Sequence, residues 1–349
     1  MAKRIALIPG DGIGREVTAE ARKVILALVK AHRLPMELVN FDWGADKYLR
    51  EGVSLPKGGL EMLRREFDAI FIGALGDPRV PDMKHAADIL LGIRFGLDLY
   101  VNERPVKLLD ASLCPLKNCS EKDVNFVVLR ENTEGAYVGM GGNFKRGTPD
   151  EVAIQEDVNT RKGVERILVY AFEYARSKGL KKVCMSDKSN ALPYGHGLWQ
   201  RTFAEVRERY PEIESWHLYI DALAMQMVKN PAQFQVIVTS NMFGDIVSDL
   251  GAQLQGGLGL AASANINPGR VSMFEPVHGS APKYAGKNLA NPMAAILTAA
   301  MMLDYLGFGQ EARRVESAVS NAIREGKTTR DLGGDLGTRE VGDWISAHL

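Results

Sequence analysis

IALIPGDGIGREVTAEARKVILALV, Ile5–Val29, is the stretch whose reading decides the fold. Ile5–Ile8 is an apolar run of the length of a buried strand, and from Val17 to Val29 the apolar residues fall at helical spacing. Between them lies the tight turn PGDGIG, Pro9–Gly14. Strand, turn and helix in that order open an α/β unit. The glycines read G-x-G-x-G, whereas the phosphate-cradling fingerprint of dinucleotide-binding βαβ units is G-x-G-x-x-G. The turn therefore misses that fingerprint.

The same rhythm continues outward. Ala69–Ile72 (AIFI), Val124–Leu129 (VNFVVL), Lys182–Met185 (KVCM) and Gln235–Thr239 (QVIVT) are further buried-strand candidates. Helical patterns alternate with them, as in Thr160–Ser177, where Val164, Ile167, Leu168, Ala171 and Ala175 share one face. This alternation predicts an α/β protein with a largely parallel sheet. Tyr137–Ala153 breaks the rhythm with Gly and polar residues, and reads either as a hairpin arm or as a surface loop. MAAILTAAMML, Met293–Leu303, is too short to span a bilayer. It reads as a buried helix with Asn291 as N-cap and Pro292 at its first position.

Composition narrows the function. The chain has 349 residues, 43 Lys and Arg against 43 Asp and Glu, and so no basic surplus of the kind a nucleic-acid binder carries. Three cysteines, Cys114, Cys119 and Cys184, make no C-x-x-C pair, which suits free thiols in a reducing compartment. No signal-peptide pattern precedes the first strand, so the expectation is a cytoplasmic protein with neither membrane nor nucleic-acid partners.

Five segments hold candidate chemistry. In SNMFGDIVSDLGA, Ser240–Ala252, Asp245 and Asp249 are four apart and stack on one helix face just past a strand end, where open α/β sheets place ligands. Two adjacent carboxylates repel unless a cation such as Mg²⁺ or Mn²⁺ uses both, or water screens them as an ordinary acidic face. Asp221, in HLYIDALAMQM, reads as a third ligand or as the N-cap of the helix after it. Arg94, Arg104 and Arg130 lie near the ends of apolar patterns, and converging guanidinium groups would suit a di- or tricarboxylic acid. Lys188 in SDKSN and Tyr137 in EGAY are candidate acid–base groups. FEPVHGSAPKYAGKNLANP, Phe274–Pro292, reads as a structured loop that feeds a helix N-terminus and so as a plausible nucleotide site, with His278 on a base or merely serving the loop.

Together IPGDGIGREV, RENTEGAY, SDKSN, IDALAMQ, SNMFGDIVSDL and the Phe274–Pro292 segment resemble the signatures of the β-decarboxylating dehydrogenases, in order and over essentially the whole chain. That resemblance implies the two-domain fold of isopropylmalate and isocitrate dehydrogenases, which is not of the Rossmann type, with a cleft between a cofactor domain (1–101 and 256–349) and a substrate and dimerisation domain (102–255). It implies NAD⁺- or NADP⁺-dependent oxidation and decarboxylation of a 2-hydroxy acid bearing a 3-carboxylate. Asp245 and Asp249, with Asp221 of a second copy, would hold Mg²⁺ or Mn²⁺; Lys188 would be the base, Tyr137 the acid, and Arg94, Arg104 and Arg130 would grip carboxylates. The arm near 137–153 would clasp an obligatory homodimer, and dimers could pair into tetramers. Glu275, His278, Gly279, Ser280, Ala281, Lys283, Tyr284 and Asn291 would bind the cofactor, its adenosine half lying on His278–Asn291.

Within the family, ADILLGIR, Ala87–Arg94, resembles the specificity helix. Leu90 and Leu91 share the face of Arg94 and would suit an isopropyl group, unless they are plain core. The expected substrate is 3-isopropylmalate, giving 4-methyl-2-oxopentanoate and CO₂ in leucine biosynthesis. Ala87 stands where Glu is usual there, while RENTEG and GALGDPRVPD resemble the isocitrate and tartrate/D-malate branches. Tartrate or D-malate is therefore the alternative, then isocitrate or homoisocitrate. Lys283 and Tyr284 resemble NADP⁺-using members, whereas the isopropylmalate reading favours NAD⁺. A non-catalytic regulatory subunit is the contrasting reading, and the presence of Tyr137, Lys188, Asp221, Asp245 and Asp249 argues against it.

Overall fold

A computed structural model describes residues 2–349. The chain begins with β1 (Lys3–Ile8), α1 (Gly14–His32), β2 (Met36–Asn40), α2 (Ala45–Glu51), α3 (Gly59–Glu66), β3 (Ala69–Ile72) and α4 (Lys84–Gly96). Then come β4 (Val101–Lys107), β5 (Asn125–Glu131), β6 (Gly141–Phe144), β7 (Val152–Gln155), α5 (Arg161–Ser177), β8 (Lys182–Asp187) and α6 (Gly195–Arg207). Next are β9 (Glu214–Tyr219), α7 (Ile220–Lys229), β10 (Val236–Thr239) and α8 (Asn241–Leu254). The chain ends with β11 (Ala262–Ile266), β12 (Ser272–Pro276), α9 (Met293–Tyr305), α10 (Gly309–Arg324) and α11 (Thr338–Ala347).

Two compact units result: Met1–Leu99 with Lys107–Glu121 and Ala252–Leu349, and Tyr100–Val106 with Lys122–Gly251. In the first, the strands lie in the order β2-β1-β3-β12-β11, parallel except for the β11–β12 hairpin. Ala6, Ile8, Ile70, Ile72, Ile89, Ile93 and Met273 fill its core. In the second, the order is β4-β5-β10-β8-β9, with β10 parallel to β5 and β8, and β8 parallel to β9. The continuous apolar strands are what a parallel sheet covered on both faces demands.

Helix ends follow local chemistry. Thr160 caps α5, its hydroxyl accepting from the Gly163 amide, a contact of about 1 kcal/mol. At α9 the expectation shifts by one residue: Pro292 is the N-cap and Met293 the first helical residue, while the Asn291 Oδ1 still accepts the Met293 N–H at 3.0 Å. Asp221 is not a cap, because α7 begins at Ile220 with Tyr219 in that position. The Phe274–Pro292 segment is not all loop: its first three residues belong to β12, and Pro282–Tyr284 forms a 3₁₀ turn. Of the two readings of Tyr137–Ala153, the hairpin is the one observed, β6 pairing antiparallel with β7. Among the described residues, no helix is long and apolar enough to cross a membrane, and all three cysteines are free.

Candidate functional site

Within the second unit, β5 delivers Arg130 and α8 delivers Asp245 and Asp249. The approach of β5 to α8 depends on Gly244: a Cβ there would lie 2.5 Å from the Arg130 Cβ. Arg130 is fully buried, donates from Nε to Asn241 Oδ1 at 2.9 Å, and pairs through Nη1 with Asp245 Oδ1. Arg104, on β4, reaches Asp245 at 3.2 Å and Asp249 at 3.6 Å, and donates to the Ser248 hydroxyl at 2.7 Å. Tyr137 donates its hydroxyl to Asp245 Oδ2 at 3.1 Å, with the Arg130 guanidinium 5.0 Å from its ring centre.

The charges in this cluster are unequal. Burial opposes ionisation of Asp245, but Arg130 and Arg104 outweigh it and hold the carboxyl below its usual range. Burial pushes Asp249 up, offset in part by Arg104 and reinforced by the neighbouring Asp245 charge. Burial likewise raises the Tyr137 phenol, so it keeps its proton at neutral pH. Two hard oxygen donors a helical turn apart, one with its charge disfavoured by the other, fit a divalent cation. Among the described residues of one chain, no third acidic, His or Cys side chain completes such a group.

Lys188 and Asp221 form a separate pair, Nζ to Oδ1 at 2.6 Å, and the lysine holds the Asp221 carboxyl below its usual range. The Lys188 ammonium also lies 5.9 Å from the Tyr219 ring centre. Beneath it, Asp187 is fully buried and accepts from the Ser189 amide, Gln200 and His217.

The first unit holds the remaining candidates. Arg94 is buried on α4 with Nη2 3.4 Å from Glu275 Oε1, and Glu275 also accepts from Asn265 at 2.8 Å. Of the three arginines, then, the structure brings Arg104 and Arg130 together, while Arg94 sits with Glu275. Leu90 packs on the core cluster, and Leu91 is half-buried.

Also in this unit, a cavity of about 1160 Å³ has Ile13, Tyr284, Asn288, Asn291, Arg330 and Asp331 among its lining residues. Lys283 stacks its ammonium over Tyr284 at 4.8 Å. His278 is half-buried with a lowered pKa from burial, and its Nε2 has no partner within the protein. Ser280 is anchored by its carbonyl, which accepts from the Ile13 amide at 2.8 Å. Gly12 adopts φ +53°, and a Cβ there would strike that carbonyl at 2.1 Å, so the PGDGIG turn packs on this loop as its glycines require. A cavity of this size, lined by both apolar and polar residues, fits the adenosine half of a dinucleotide. Sequence reading singled out neither Arg330 nor Asp331, and covered Asn288 only as part of the His278–Asn291 loop. Nothing local in DLGGDLGT, Asp331–Thr338, says that it folds back onto the Tyr284 loop.

Comparison with known proteins fits this arrangement. Residues 4–345 match the family described as isocitrate/isopropylmalate dehydrogenase. A 3-isopropylmalate dehydrogenase of Corynebacterium efficiens is 48% identical over 352 residues, covering 99% of each chain. One from Thermobifida fusca is 45% identical over 348 residues, covering 99% of this chain and 97% of its own. Among solved structures, isocitrate dehydrogenase from Methylococcus capsulatus superposes with a TM-score of 0.90 at 39% identity, covering 99% of each chain. With a matching sequence profile, a matching fold and an acidic helix pair ringed by arginines, this chain belongs to the isocitrate/isopropylmalate dehydrogenase family.

Proposed function

We propose that the protein oxidises and decarboxylates 3-isopropylmalate with a nicotinamide cofactor, yielding 4-methyl-2-oxopentanoate and CO₂. The observation that carries this is the Asp245–Asp249 pair set against Arg104, Arg130 and Tyr137. It couples a hard-cation site to carboxylate-binding cations and one protonated acid. The relatives named 3-isopropylmalate dehydrogenase are 45–48% identical, against 39% for the isocitrate dehydrogenase, which favours the branched substrate.

In this mechanism Asp245 and Asp249, with Asp221 of a second copy, would hold a divalent cation, which would supply Lewis acidity for the oxidation and decarboxylation. Arg104 and Arg130, with Arg94, bind the two carboxylates. Lys188 of the second copy would accept the C2 hydroxyl proton, and a bound nicotinamide would take the hydride that leaves C2. The 3-carboxylate then leaves as CO₂, and its bonding pair becomes an enolate. Tyr137 returns a proton to C3. Leu90 and Leu91 offer the apolar contact for the isopropyl group.

Sharing the site between two copies agrees with the separation of Lys188 and Asp221 from the Asp245 cluster within one chain. Exposed apolar side chains on α7 (Met225, Val228) and α8 (Met242, Ile246), and on the β6–β7 arm (Phe144, Val152, Ile154), offer the surface for a homodimer. The second unit then serves substrate binding and dimerisation, and the first binds cofactor. Lys283 and Arg330 beside the cavity favour a 2′-phosphate, and hence NADP⁺ alongside NAD⁺. The test is turnover of 3-isopropylmalate, D-malate, tartrate and isocitrate with each nucleotide and Mg²⁺ or Mn²⁺. The highest kcat/KM is expected for 3-isopropylmalate; a higher value for any other acid overturns the substrate assignment.

A further inference from the structure

His196, near the start of α6, is 1% exposed and contacts the Lys188 backbone, Asp157 and Phe243. Its Nδ1 accepts the backbone N–H of Lys188 at 3.0 Å. A ring nitrogen that accepts carries no hydrogen, so the hydrogen sits on Nε2. That nitrogen faces Asp157 Oδ2 at 3.5 Å. Asp157 is itself held by Asn159 at 2.8 Å, and Asn159 by the Trp199 indole at 2.8 Å. The next residue, Val158, bridges to Gly135, two positions before Tyr137. The His196 ring also packs against Phe243 of α8, 5.1 Å between centres and two residues before Asp245.

We propose that His196 is a positioning residue for the reaction: a single buried imidazole, fixed as the Nε2–H form by Asp157, that holds the Lys188 turn through its backbone amide and ties it to the root of the Tyr137 turn. The proposal rests on the assignment of Lys188 and Tyr137 as the acid–base groups. A buried imidazole needs partners at both nitrogens, which a purely packing role would supply without regard to which nitrogen does what. Here the two are not equivalent. The Nδ1 side sets where the Lys188 backbone sits, and misplacing a reacting group by about 1 Å can cost about a hundredfold in rate.

The two amide side chains separate the roles. Asn at 196 places an acceptor where Nδ1 lies; Gln reaches to Nε2 and leaves the Lys188 amide without an acceptor. The experiment measures hydrogen exchange of the Lys188 amide in the full-length dimer, together with kcat, KM and melting temperature, for wild type, His196→Asn and His196→Gln. The expected result is a protected Lys188 amide in wild type and His196→Asn, and exchange about tenfold or more faster in His196→Gln. kcat should fall about tenfold or more in His196→Gln alone, with substrate KM within about threefold. Equal exchange and equal kcat in the two variants would overturn the proposal, as would an unprotected Lys188 amide in wild type, which needs no variant to fold. If wild type turns over none of the candidate acids, the functional reading fails, while the exchange comparison still decides the role of His196 in holding the turn.

Discussion

Replacing Lys188 by alanine should separate catalysis from folding. The side chain makes one ion pair, with the exposed carboxylate of Asp221, and screening there leaves the pair little influence on stability. The backbone of residue 188 stays on His196 Nδ1, because that bond uses the amide rather than the side chain. The melting temperature should therefore stay within about 2 °C of wild type, as for an ordinary surface substitution. Catalysis should not survive so well. A positioned proton acceptor contributes on the order of 10²–10⁴ in rate, equivalent to about 3–5 kcal/mol of barrier. The assay is steady-state reduction of the nicotinamide at saturating 3-isopropylmalate and Mg²⁺, with oligomeric state followed by sedimentation. Added primary amines should restore part of the lost turnover. A kcat within about tenfold of wild type would refute the assignment of Lys188 as the base.

Further outcomes follow from the same geometry. Tyr137→Phe keeps the ring under Arg130 but loses the proton donor. kcat for decarboxylation should fall on the order of 10²-fold, with 2-oxo acid still bearing its 3-carboxylate or unprotonated enolate partitioning back, detected as a changed ratio of nucleotide reduced to product formed. Lys283→Asp should move the kcat/KM ratio toward NAD⁺ by about tenfold, since a carboxylate there repels a 2′-phosphate; an unchanged ratio shows that Lys283 does not read it. Asp157 is held below the usual carboxylate range by its hydrogen bond to His196, against the opposing effect of burial. A depressed folded-state pKa contributes stability present above about pH 4 and lost as pH falls through the folded value. Urea midpoints between neutral and acid pH should show this loss in wild type, and a smaller one in Asp157→Asn.

Much of this was legible in the sequence, for identifiable reasons. The apolar runs at Ile5–Ile8 and Ala69–Ile72 form strands because a parallel sheet covered on both faces leaves no polar alternation to confuse the pattern. Asp245 and Asp249 share a face because helical spacing after a strand end is enough to say so. What spacing does not encode is which distant segment a loop meets. Arg94 turns to Glu275, 181 residues away, and Arg330 and Asp331 fold onto a loop that begins some 50 residues earlier. Leu90 is only partly buried against the first unit's core, and helical periodicity does not separate that packing from contact with a substrate. The Lys107–Glu121 segment groups with the first unit although it follows a strand of the second, because its packing partners come from the C-terminal third of the chain. His196 went unnoticed because a lone histidine at a helix start has no pattern of its own.

Complementation between inactive chains bears most directly on the idea that two copies build each active site. Lys188→Ala and Asp245→Asn damage different halves of a shared site, so a mixed dimer holds one site with both defects and one with neither. Unfolded together in equal amounts and refolded, the two inactive proteins should recover about a quarter of wild-type turnover, half the dimers being mixed with one sound site in two. Recovery of none, with mixed dimers demonstrably present, would mean that each chain builds its site alone.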